Sequence, residues 1–144
     1  MLSELVQKAL VQWRGEGIKL LPPLNAQSVI SMLSLTRQPI SKDVVELYCT
    51  AGGMMSGESD KYCWSLWPLE SVIKNNATYT KPYVLFADFL IHSHLYCFDY
   101  ENENVSAVCI EWCNGKAPQR VANSLEEFFD LYLKRPKNVD LYVF

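Results

Sequence analysis

Residues 84–112 read VLFADFLIHSHLYCFDYENENVSAVCIEW, and this stretch decides the fold. Residues 83–88, 92–100 and 105–112 are three runs rich in aromatic and β-branched side chains, a composition that suits a pleated, half-buried strand. Asp88, Phe89 and Leu90 separate the first two runs, and residues 101–104 separate the second and third. Connections this short leave no room for a crossover, so the strands should fold back on one another as an antiparallel meander. Side chains two apart on a strand share a face. His92 and His94 are therefore expected beside Tyr96 and Phe98, with Ile91, Leu95 and Cys97 on the opposite face.

Outward from this core the period changes. Residues 61–67 (KYCWSLW) read as another strand, broken by Pro68 and followed by a short helix over 69–74. Asn114-Gly115 marks a turn, and QRVA at 119–122 a further short strand. Toward the N-terminus, Leu5, Val6, Ala9, Leu10 and Trp13 recur at helical spacing, with Ser3 as a cap and Gly15 or Gly17 as a stop. Pro22 and Pro23 force an extended segment. Asn25 is placed to cap a second helix through Leu35 that turns Val29, Ile30 and Leu33 inward. Pro39 and Ser41 open a third, carrying Val44, Val45, Leu47 and Tyr48 and stopped by Gly52 and Gly53. Ser124 and Glu127 form a capping box ahead of the stripe Leu125, Phe128, Phe129, Tyr132 and Leu133. Pro136 should end that helix, and VDLYVF at 139–144 has strand character.

A chain of 144 residues, 49% apolar and 20% charged, suits one α+β domain over 1–144, an antiparallel sheet with helices mainly on one face. Its net charge of −3 argues against nucleic acid as the main partner, because phosphate binding calls for clustered Lys and Arg. No apolar run approaches the roughly 20 residues that span a bilayer, so no membrane association is expected. The first residues lack the basic start and apolar centre of a signal peptide. Cys49, Cys63, Cys97, Cys109 and Cys113 are odd in number and scattered, which suits reduced thiols in a cytoplasmic protein. Cys109 and Cys113 are expected to share a sheet face without pairing.

The chemistry-bearing residues are few. Two same-face histidines make half a metal site, but a third ligand is missing and Asp88 is the only nearby acid. The plain reading is two half-buried imidazoles with one hydrogen bond each. No catalytic group, cofactor or metal is therefore assigned. A metal-assisted hydrolase built on His92, His94 and Asp88 is kept as the enzymatic alternative. No G-x-S-x-G elbow or phosphate-binding Gly-rich loop appears.

Charge carries more information. No Lys or Arg occurs between Lys81 and Lys116, an interval holding Asp88, Asp99, Glu101, Glu103 and Glu111. A second cation-free interval, between Lys42 and Lys61, holds Asp43, Glu46, Glu58 and Asp60. If the turns gather on one side, these acids form a negative face that steers a basic protein; otherwise they are a solvated surface. The candidate contact residues are Glu58, Asp60, Asp99, Glu101, Glu103 and Glu111. Glu111, a lone charge among Val108, Ile110 and Trp112, is the candidate for a buried acid awaiting a partner's cation.

Several local phrases also fall in a familiar order. These are LPP at 21–23, PISKDVVELYCTAGG from Pro39, WSLWPLESV from Trp64, the hairpin from Val84, and VANSLEEFFDLYL from Val121. Together they resemble the SUKH superfamily over residues 20–133. That superfamily comprises small α+β domains of bacterial immunity proteins and of fungal cell-wall-assembly regulators linked to killer-toxin resistance. The sequence departs from it at FLIHSHL, where members often carry glycines. The resemblance implies a non-enzymatic domain that neutralises a cognate toxin, often a nuclease, by covering its basic surface; a monomer or weak homodimer is expected. A regulatory or scaffold interaction module is the alternative that the fungal relatives imply.

Overall fold

The computed structural model describes residues 1–90 and 92–134. Three helices come first: α1 (Leu2–Gly15), α2 (Ala26–Leu33) and α3 (Lys42–Thr50). β1 (Trp64–Leu66) and α4 (Leu69–Asn76) lead into β2 (Val84–Phe89), β3 (His94–Tyr100), β4 (Ser106–Glu111) and β5 (Gln119–Ala122), and α5 (Leu125–Lys134) follows. The five strands lie in sequence order in one antiparallel sheet, as the short connections from β2 onward require, while α4 lies in the longer connection from β1 to β2. Pro136 and the segment 139–144 lie outside the described residues.

One face of the sheet carries the aromatic core. Trp64, Tyr96 and Phe86 meet Phe128 of α5 at ring-centroid distances of 5.8, 5.8 and 6.3 Å. Trp13 of α1 stacks on Trp64 at 6.2 Å. Phe86 is the extra residue of a bulge in β2, where the register with β3 shifts between Leu85 and Ala87. The bulge turns Phe86 to the core face, and it stacks on Phe98 at 4.0 Å.

Local rules explain most of the elements. Asn25 caps α2 by accepting the Ser28 N–H at 2.8 Å, and Ser124 Oγ accepts the Glu127 N–H at 3.0 Å. Some expectations are corrected. α1 starts at Leu2, so Ser3 lies inside the helix and its N–H bonds Glu46. Ile30 points outward at 54% exposure. β1 is three residues long, because Cys63 adopts a left-handed φ of 70° and ends the extended run. Cys113 also has positive φ and is exposed beyond β4, so it shares no strand face with buried Cys109.

Beyond β1, the outer edge of β2 is completed by a side chain. Asn76 accepts the Leu85 N–H at 2.9 Å and donates to the Leu85 carbonyl at 2.9 Å, standing in for a strand residue. Asn76→Leu should strand both buried backbone groups and cost roughly 2–4 kcal/mol. Urea midpoints measure this. Asn76→Asp should rescue little, because a carboxylate would face the Leu85 and Val72 carbonyls, whereas full rescue would contradict the account.

Candidate functional site

The two histidines part company. Leu90 and His92 adopt left-handed φ of 50° and 68°, so Leu90, His92 and Ser93 lie in turn conformation and β3 begins only at His94; Ile91, expected on the face opposite the histidines, lies outside the described residues. His94 stays on the aromatic face, 4.9 Å from Phe89 and 4.8 Å from Trp112 by ring centroids. His92 reaches the other face, stacks on Trp67 at 5.3 Å and places Nε2 3.1 Å from Asp88 Oδ2. The shared face expected for His92 and His94 is thereby corrected. A hydrolase using both imidazoles on one ion lacks its ligand geometry. Among the described residues no three His, Cys, Asp or Glu side chains converge as a metal-binding group.

The folded chain also redistributes the acidic candidates. Asp60 is buried at 4% exposure. Its Oδ1 accepts the Tyr62 and Trp64 backbone N–H groups at 2.8 and 3.0 Å, and its Oδ2 accepts the Tyr132 hydroxyl, which itself accepts the Trp13 indole N–H at 2.7 Å. Asp60 thus ties α1, α5 and β1 together and is no contact residue. An acid two positions before a backbone N–H it accepts is a turn signal, and that signal lay in the sequence.

Glu111 is buried as expected, at 1% exposure, but its cation is internal. Lys81 Nζ lies 2.8 Å from Oε1, the Tyr79 hydroxyl donates to it at 2.7 Å, and the Cys113 N–H reaches Oε2 at 3.1 Å. Burial opposes the charge, yet these bonds outweigh it and hold Glu111 below the usual carboxylate pKa. Lys81 Nζ also donates to the Lys116 carbonyl at 2.9 Å, so the two ends of the cation-free interval meet in space. Asp99 and Glu101 share Arg120 of β5, the former at 3.0 Å.

Glu103 keeps an exposed side chain, on a turn fastened to the start of α3. Its carbonyl accepts the Lys42 N–H at 2.8 Å, and Asp43 takes the Ser106 N–H at 3.2 Å. Glu111 pairs with Leu95, five positions along β3 from Tyr100, so it lies about 17 Å from this turn at the usual strand rise. The six acids therefore do not form one face.

A cleft of about 420 Å³ opens on the face of the sheet opposite the aromatic core. Ser65 and Asp88 sit opposite each other in the β1–β2 register and so share that face. Ser65 Oγ donates to the Glu58 carbonyl at 2.9 Å, holding the 55–59 loop over it. Trp67, Pro68, Met54, Lys74 and His92 complete the wall. Asp88, only 7% exposed, accepts the Trp67 indole N–H at 3.1 Å on Oδ2. Burial pushes its pKa up, against the smaller opposing effects of Trp67 and His92. Glu58 Oε1 accepts the Lys19 N–H at 2.8 Å. Of the six acids expected to contact a partner, only Glu58 lines this cleft, and sequence reasoning missed Asp88 and Trp67 as parts of it.

Among the described residues no helix is long and apolar enough to cross a membrane. No protein-family model, no curated protein and no solved structure matches the chain.

Proposed function

We propose that the chain is a non-enzymatic protein of the immunity type, acting in the cytoplasm. It binds a basic toxin domain, of the nuclease class, and blocks it by occlusion. The observation that carries this reading is the open cleft, lined by Glu58, Asp88 and exposed Met55. Apolar contacts beside one buried and one partly exposed carboxylate suit a protein partner that presents cations. The antiparallel meander and the resemblance over residues 20–133 support the same reading. This reading puts the contact at the cleft rather than at the other acids, because Arg120 answers Asp99 and Glu101 and Lys81 answers Glu111.

The test is co-expression with a basic toxin domain encoded beside this chain. The toxin alone should arrest growth. Adding this chain should restore growth, and the two should co-purify at one to one. Arrest that persists despite soluble, folded protein would overturn the proposal.

A further inference from the structure

We propose that the cleft receives an arginine side chain, its guanidinium held between Asp88 and Glu58. This rests on the reading of the chain as a binder of a basic protein. Each carboxylate has one oxygen committed and one without a partner among the described residues. Asp88 uses Oδ2 for Trp67 and His92, and Glu58 uses Oε1 for the Lys19 N–H. Asp88 lines the cleft and is only 7% exposed, so water reaches its carboxylate poorly. An incoming donor recovers a hydrogen bond that water supplies poorly there.

The walls favour arginine over lysine. Trp67 and His92 are stacked with an interplanar angle of 24°, and the half-exposed imidazole extends a flat surface toward the opening. A guanidinium is planar, stacks on such surfaces and spreads five donors across two acceptors, whereas an ammonium is compact and strongly hydrated. Asp88 holds the His92 ring against Trp67, and the Trp67 indole N–H holds Asp88 in turn, so the surface is formed before binding. Lys74 also lines the cleft and is exposed, so it competes with an incoming cation.

The probe is N-acetyl-arginine methylamide, titrated into the whole chain and followed by NMR, with the lysine analogue as control. Saturable shifts should centre on His92 and the Trp67 indole N–H, and the lysine analogue should bind several-fold more weakly. Asp88→Asn keeps an acceptor for Trp67 and should weaken binding about tenfold. Glu58→Gln should weaken it less, and Lys74→Gln should strengthen it. The inference is overturned if shifts fail to saturate, arise elsewhere, or are equal for both probes. It is also overturned if the folded Glu58→Gln and Lys74→Gln variants bind like wild type. Probe binding without toxin neutralisation would sink the immunity reading alone. Neutralisation without probe binding would sink the arginine site alone.

Discussion

Gly52→Ala is expected to leave the protein largely unfolded or insoluble. A Cβ at this position would stand 2.1 Å from the Pro22 carbonyl oxygen and 2.6 Å from that of Leu21. These are backbone atoms of a segment pinned by its own hydrogen bonds. The Leu21 N–H donates to the Gly53 carbonyl at 2.9 Å and the Leu24 N–H to the Tyr48 carbonyl at 3.1 Å. On the other side, Gly53 has φ of 101° and approaches the Pro68 backbone so closely that its own Cβ would fall 2.6 Å from Pro68 N. The segment has nowhere to retreat. Overpacking that backbone must absorb costs on the order of 3 kcal/mol or more, against a total stability of about 5–15 kcal/mol. Circular dichroism melts and soluble yield report the result. A Gly52→Ala protein that melts with wild type would show that the 20–24 segment does not pack as described.

Phe128→Ala is expected to cost roughly 3–5 kcal/mol. Phe128 is 1% exposed and touches rings from three strands, namely Trp64 of β1, Phe86 of β2 and Tyr96 of β3. Removing it opens a cavity where α5 meets the sheet, and the surrounding rings cannot collapse together without shifting strands. For a chain of this size the melting temperature should fall by roughly 6–20 °C. An unchanged melt would place α5 away from the sheet.

The architecture was legible because its signals are local. Short connections around residues 84–112 dictate a meander, and the stripe Leu125, Phe128, Phe129 and Tyr132 buries as its spacing requires. The β2–β3 turn was not legible. Its left-handed positions fall on Leu90 and His92 rather than on Gly or Asn, so strand periodicity was extended two residues too far. That slip put both histidines on one face and hid the joining of His92 to Asp88 and Trp67. The acidic candidates failed for a different reason. A gap in cations along the chain is not a gap in space, since Lys81 and Arg120 come from outside the interval and reach Glu111, Asp99 and Glu101. The local turn bonds of Asp60 to Tyr62 and Trp64 were legible, but its burial was not, because Tyr132 is distant in sequence.

The central claim is that the cleft carboxylates hold the basic partner and the β3–β4 turn at most steers it. The most direct measurement compares two variants of the same complex by dissociation constant and rates. Glu58→Gln with Asp88→Asn should weaken binding more than about tenfold, chiefly through faster dissociation. Glu101→Gln with Glu103→Gln should slow association a few-fold, soften its salt dependence and leave dissociation unchanged. The opposite ordering, with the turn variant losing the partner and the cleft variant binding like wild type, would contradict the account.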